Sequence, residues 1–142
     1  MYKIFHYVFA TYKRKLVLIN EISGQLSVIF HKISNEKGFE IIRLSILVDH
    51  VHMLIKKNTS DSNEYIMKMT KGISSREILK LYPSNRFEFR KLWGRGYRAI
   101  EIKDKNQLKQ TIKYIDNQKV DGLDKRIAGS REVHSQASEV AL

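Results

Sequence analysis

Phe39-Glu40-Ile41-Ile42-Arg43-Leu44-Ser45-Ile46-Leu47-Val48-Asp49-His50-Val51-His52-Met53-Leu54-Ile55-Lys56 is the stretch that decides how this chain folds. Phe39 to Val48, rich in Ile and Leu, reads as one strand, and His50 to Lys56 reads as the next. Asp49 between them is a turn-prone residue, and so short a link makes the pair an antiparallel hairpin. Residues two apart on a strand share a face. Val51, Met53 and Ile55 therefore turn into a core, while His50 and His52 project together from the other side.

Upstream of the hairpin, Ile22, Leu26, Ile29, Phe30 and Ile33 recur at helical spacing, and Gly38 stands as the stop signal. Before that helix, the aromatic and β-branched run Lys3 to Tyr12 predicts a strand that ends in Lys13-Arg14-Lys15. Downstream, polar residues from Asn58 to Asn63 precede a helix starting near Glu64, with Ile66, Met69 and Ile73 on one face. Pro83 ends it at Leu81 or Tyr82, and Gly72 with Ser74-Ser75 weakens its middle. Leu92 to Ile102 predicts further strand, interrupted at Gly94-Arg95-Gly96 by a bend or bulge. A last helix begins near Asp104, where Asp104 and Gln107 have capping-box spacing, and Leu108, Ile112 and Ile115 form its apolar stripe.

The order β-α-β-β-α-β-α is that of an α+β fold, resembling the ferredoxin-like or RRM-like split arrangement on an antiparallel sheet. Two helices cover one face of such a sheet, and the third is available to the open face. Residues 1–120 form one expected domain, followed by a loose polar tail over 121–142.

Composition narrows the partners. The chain has 142 residues, enough for one domain with a buried core, and its 42% hydrophobic and 29% charged content is that of a soluble globular protein. There is no cysteine, which excludes disulfides and thiolate metal sites and fits a reducing cytoplasm. A formal net charge of +11 suits a polyanion. No apolar run reaches the roughly 20 residues that span a bilayer, and the first residues do not read as a signal peptide, so nucleic acid is favoured over a membrane.

Two clusters carry chemistry. Side by side on a strand, His50 and His52 can share one divalent cation; two histidines on a solvated strand face are the plain alternative. On the last helix, Tyr114 lies roughly 130° from the centre of the apolar stripe, and Gln118 follows it one turn later. Tyr114 is thus outside the core by periodicity, either a surface aromatic or a working residue. The amide oxygen of Gln118 would add a hard metal ligand.

Asp49-His50-Val51-His52-Met53-Leu54 and Tyr114-Ile115-Asp116-Asn117-Gln118 resemble the two signatures of single-tyrosine transposases of the HUH class, encoded by very small insertion sequences that move as single-stranded DNA. The similarity runs from His6 to about Gln118 and includes His6-Tyr7-Val8, Thr11-Tyr12-Lys13-Arg14, Lys71-Gly72 with Ser74-Ser75-Arg76, and Leu92-Trp93 with Arg95-Gly96-Tyr97. It implies Tyr114 as nucleophile and His50, His52 and Gln118 as ligands of Mg²⁺ or Mn²⁺. It also implies a 5′-phosphotyrosine intermediate, single-stranded DNA with hairpins at the element ends as substrate, and a homodimer with shared active sites, each tyrosine helix able to serve the other subunit's His pair. A phenol, with a pKa of about 10, is a poor nucleophile near neutrality, so such a reaction needs a polarised phosphate and an aligned attack.

Asp49 is placed to orient a ligand from behind, or is a plain turn residue. Lys13, Arg14, Lys15, Lys56, Lys57, Arg76, Arg86, Arg90, Lys91, Arg95 and Arg98 could hold DNA, interleaved with Tyr12, Phe87, Phe89, Trp93 and Tyr97. Trp93 and Phe89 read better as core. His31 and His134 carry no signal, and His6 faces either DNA or core. Three other readings stand beside the transposase: a domesticated relative that processes genomic hairpins, a non-enzymatic single-strand-binding module, and a structural metal protein. The second predicts exposed aromatics on the central strands. The third explains neither Tyr114 nor the charge.

Overall fold

The computed structural model describes residues 1–83, 87 and 90–120; Arg86, Phe89, His134 and the tail expected over 121–142 lie outside the described residues. The elements are β1 (Tyr2–Ala10), α1 (Glu21–Lys37), β2 (Glu40–Ile46), β3 (His50–Asn58), α2 (Asn63–Leu81), β4 (Arg98–Ile102) and α3 (Lys105–Val120), with a short 3-10 turn at Tyr12–Arg14. The sheet order is β2-β3-β1-β4 with every pair antiparallel, the split topology expected from the element order. No described helix is long and apolar enough to cross a membrane.

The pleat sorts the sheet into two faces. Tyr7 and Phe9 of β1, Leu44 and Ile46 of β2, and Val51, Met53 and Ile55 of β3 form one core with Ile22, Leu26, Phe30 and Ile33 of α1 and Ile66, Met67 and Ile78 of α2. The aromatic side chains of Tyr7 and Phe9 are thus taken up by the core, while Tyr2 at the start of β1 is exposed. The opposite face carries His6, Val8, His50 and His52 beneath α3. Gly38, with φ +78°, closes α1 and donates its N–H to Ser34 O at 2.9 Å.

One irregularity sets how α3 is held. In β2 the register shifts between Ile41, opposite Ile55, and Arg43, opposite Leu54. The extra residue is a bulge, which lets Ile41 and Leu44 both face the core. It also turns Arg43 to the other face, where its Nε meets Asp116 Oδ1 of α3 at 3.3 Å. Ile115 is the one fully buried residue among the described side chains of α3, with Leu108 and Ile112 partly buried, so the expected stripe is present. Its start is capped by Gln107 N–H donating to Asp104 Oδ1 at 2.8 Å, and Gln107 Oε1 accepts from Lys103 N at 2.8 Å.

Two expectations change. In α2 the buried stripe runs Ile66, Thr70, Ser74, Ile78, while Met69 and Ile73 are only partly buried. The cause is Trp93, whose Nε1–H donates to Ser74 Oγ at 2.9 Å; a small hydroxyl residue makes room for the indole and satisfies it. The apparent weak spot of the helix is a socket. The strand expected over Leu92 to Ile102 is regular only from Arg98. Trp93 makes an isolated bridge to Thr11, and the chain then swings through Gly94-Arg95-Gly96. A Cβ on Gly94 would stand 3.2 Å from Thr11 O, and Gly96 has φ +75°. Lys71 Nζ donates to Gly94 O and Gly96 O, both at 2.8 Å, and ties this bend to α2.

Trp93→Phe removes one ring of the indole together with its buried hydrogen bond to Ser74, so it should lower stability by at least about 1 kcal/mol. Urea unfolding followed by far-UV circular dichroism checks this; an unchanged midpoint would show that the indole N–H contributes nothing.

Candidate functional site

The hairpin between β2 and β3 is closed by Leu47 N–H donating to His50 O at 2.8 Å, which fixes where β3 starts. From that start, alternation sends His50 and His52 to the α3 face, their ring centroids 5.0 Å apart. Ser45 pairs with His52 across the strands, and its small side chain leaves space beside the ring. On the other side β1 pairs His52 with Val8 and Leu54 with His6, so His6 lies diagonally next to His52 on the same face.

Each ring of the pair has one nitrogen engaged. Asp49 is fully buried, and His50 Nδ1–H donates to its Oδ1 at 2.8 Å, since a carboxylate only accepts. His52 Nδ1 shares a hydrogen bond with His6 Nε2 at 3.0 Å. Among the described residues neither Nε2 has a hydrogen-bond partner, and both rings line one open cavity of about 720 Å³ together with His6, Tyr114 and Gln118. Tyr114 is half exposed, and its ring centroid is 5.6 Å from that of His52 and 6.1 Å from that of His6. The helical reading that put Tyr114 off the apolar stripe and Gln118 beside it thus agrees with where both stand. Two imidazole nitrogens and an amide oxygen form a donor set that a divalent cation such as Mn²⁺ accepts. Among the described residues no three His, Cys, Asp or Glu side chains are grouped for a metal, so such a site would need the Gln118 oxygen.

Behind the histidines stands Asp49. Its second oxygen, Oδ2, accepts from Arg14 Nε at 2.9 Å, and its backbone carbonyl accepts from Thr11 N–H at 2.9 Å. Arg14 reaches it only because the chain turns sharply after β1, with Lys13 and Arg14 both left-handed at φ 55° and 53°. Non-glycine residues pay roughly 1–2 kcal/mol each for that conformation, and such strain collects at functional sites. Asp49 is at once part of the turn between β2 and β3 and the hydrogen-bond partner of the His50 ring.

Of the basic residues proposed for DNA, Arg14, Arg95 and Arg98 line the cavity; Lys13, Lys15 and Arg76 do not. Lys13 lies over the Tyr12 ring, with Nζ 5.5 Å from its centroid, and Arg76 is exposed on α2. Gln110 and Thr111, both about two turns before Gln118 on α3, line the cavity as well and were not singled out by the sequence. Their spacing to Tyr114, four and three residues, is the signal that could have found them. His6 is the other addition: nothing in the sequence gave the β1–β3 register that brings it to His52.

Burial governs the protonation of the inner rings. It pushes His6 down to about 4, with the Arg98 guanidinium adding to the effect. Burial likewise lowers His52 to about 3, reinforced by His50, His6 and Arg98. Both are neutral, the form a metal ligand requires, throughout the physiological range. A ring held neutral when folded but titrating near 6.5 when unfolded stabilises the fold fully above that value. In EDTA, thermal stability should therefore fall as pH drops from about 6.5 towards 4, because only the unfolded chain takes up the protons. His6→Phe should flatten that fall; an equal slope in both proteins would show that the ring is not held neutral.

The chain's similarities point the same way. Residues 2–118 match the family model described as transposase, IS200 like. The ISDra2 transposase TnpA of Deinococcus radiodurans is 28% identical over 116 residues, covering 80% of this chain and 82% of that protein. A crystal structure of a transposase from Deinococcus radiodurans R1 superposes with a TM-score of 0.66 at 27% identity, over 83% of this chain and 92% of its own. A REP-associated tyrosine transposase bound to a REP hairpin has the same fold, with a TM-score of 0.66 at 15% identity over 85% of this chain and 68% of that one. With the match spanning every described element from β1 to the Tyr114–Gln118 turn of α3, this chain belongs to the IS200-like transposase family.

Proposed function

We propose that this transposase cuts and rejoins single-stranded DNA at the ends of an insertion sequence through a 5′-phosphotyrosine on Tyr114, with His50, His52 and Gln118 holding Mg²⁺ or Mn²⁺. The observation that carries the reading is the position of Tyr114, half exposed on the wall of the cavity that the two histidines and Gln118 share. A bound divalent ion would polarise the phosphate oxygens and stabilise the charge that develops on them. The remaining work belongs to the chain. Asp49 holds the His50 ring by its Nδ1–H, and Arg14, Arg95 and Arg98 surround the cavity with positive charge that attracts a phosphate backbone.

In the reaction, the Tyr114 oxygen bonds to phosphorus as the bond from phosphorus to the 3′ oxygen breaks. The phenolic proton is lost to solvent or base, and the departing oxygen takes one up to become a 3′-OH. The 5′ phosphate stays on the tyrosine. A later 3′-OH reverses the exchange and frees the phenol, so strands rejoin without a nucleotide cofactor. The hairpin bound by the REP-associated relative supports a folded single strand as the substrate here. Tyr114 stands beside the His pair of its own chain, which supports cleavage within one subunit; the homodimer, with exchange of tyrosine helices between subunits, is part of the same proposal.

Incubating the protein with labelled single-stranded DNA carrying its element's end hairpins and Mn²⁺ should give a covalent adduct on a denaturing gel. Tyr114→Phe and EDTA should each abolish it. His50→Ala or His52→Ala should reduce it by at least about a hundredfold, as expected when a metal ligand is lost. Salt-sensitive DNA binding with no adduct under any condition would instead identify a non-enzymatic single-strand-binding protein. Asp49→Asn should weaken Mn²⁺ binding roughly tenfold in calorimetry, and Mn²⁺ affinity equal to wild type would remove Asp49 from the site.

A further inference from the structure

His6 is a buried histidine that the proposed reaction does not use, yet it is bonded to a residue that the reaction needs. It is 6% exposed, stacks on His52 with centroids 5.2 Å apart and planes 30° from parallel, and has its Nε2 3.0 Å from His52 Nδ1. We propose that His6 is a positioning residue for His52: its Nε2 accepts the hydrogen of His52 Nδ1–H and so leaves the Nε2 lone pair of His52 facing the cavity. The inference rests on the metal reading of the His pair given above.

The direction of the hydrogen bond follows from what His52 must do. A neutral imidazole carries one proton. If His52 Nδ1 accepted from His6, that proton would sit on His52 Nε2, and the ring would have no lone pair to offer the cavity. With His6 accepting, the proton is on Nδ1 and the lone pair is on Nε2. The same logic operates at His50, where the Asp49 carboxylate holds the Nδ1 proton at 2.8 Å. The two histidines are therefore handled alike by chemically different partners, a carboxylate at the outer ring and a neutral ring at the inner one. A neutral imidazole accepts that hydrogen bond without bringing a charge into the buried site. His6 is not a third ligand, because its Nε2 is already committed to His52. Its place is set by the sheet: β1 pairs with β3 so that His6 lies opposite Leu54, one diagonal step from His52.

The test separates ring orientation from metal binding. Long-range ¹⁵N–¹H correlation spectra of the metal-free protein should show His52 as the Nδ1–H tautomer. In His6→Phe, which fills the space without an acceptor, that tautomer should be lost or mixed, and Mn²⁺ affinity by calorimetry should fall roughly ten- to a hundredfold. His6→Gln places an amide oxygen near the position of the ring Nε2 and should restore both; His6→Asn is too short and should restore neither. Melting curves in EDTA identify any variant that fails to fold. If His6→Phe is one of them, the Gln and Asn pair decides. An Nε2–H tautomer in the wild type, or a His6→Phe protein that keeps both tautomer and affinity, would overturn the proposal. A His6-dependent Nδ1–H tautomer in a protein that binds no Mn²⁺ would uphold the orientation and sink the metal reading alone.

Discussion

The two-residue period of β3 is the constraint on which the rest depends. Flanked by β2 and β1, this strand must satisfy both faces of the sheet at once: Val51, Met53 and Ile55 close the core under α1 and α2, and His50 and His52 supply the opposite cavity. A slip of one residue would bury the imidazoles in the core and turn the aliphatic side chains to the cavity. Several features guard against that slip. The turn at residues 47–49 fixes the start of the strand, Thr11 N–H holds the Asp49 carbonyl from β1's side, and the β2 bulge absorbs the mismatch further along. Structural register and the geometry of the cavity are here one quantity.

Buried polar groups then refine what the pleat sets out. Asp49 is fully enclosed, and its oxygens are divided between His50 and Arg14, so the carboxylate joins a strained turn after β1 to the first imidazole. Lys71 plays a comparable part on the far side, where its ammonium holds the carbonyls of Gly94 and Gly96 and burial lowers its pKa below the usual lysine value. That bend delivers Arg95 and Arg98 to the cavity wall. The site is thus assembled from three connections of the sheet, each fixed by a polar group satisfied from another element.

Periodicity made a large part of this legible. The apolar spacings of α1 and α3, the hairpin, the paired histidines and the position of Tyr114 relative to its stripe all follow from local rules, and local rules are what a sequence displays. What could not be read came from register and from long-range partners. Nothing in Phe5-His6-Tyr7 says which ring of β3 stands beside His6. Ser74 looks like a helix-weakening residue until Trp93, from beyond the end of α2, is seen to need its hydroxyl. The strand expected from Leu92 was lost to a close approach at Gly94 that depends on β1. The bulge in β2 was hidden because Ile41 and Ile42 are equally apolar.

The segregation of the core to the α1–α2 face has an evolutionary corollary. Most of the apolar area that keeps this chain folded is remote from Tyr114, and α3 adds only one fully buried side chain among its described residues. Substitutions at Tyr114 or along the cavity rim can therefore alter the cavity while the scaffold persists. An element that ceases to move would leave behind a stable, basic protein, ready for selection to recruit to another purpose.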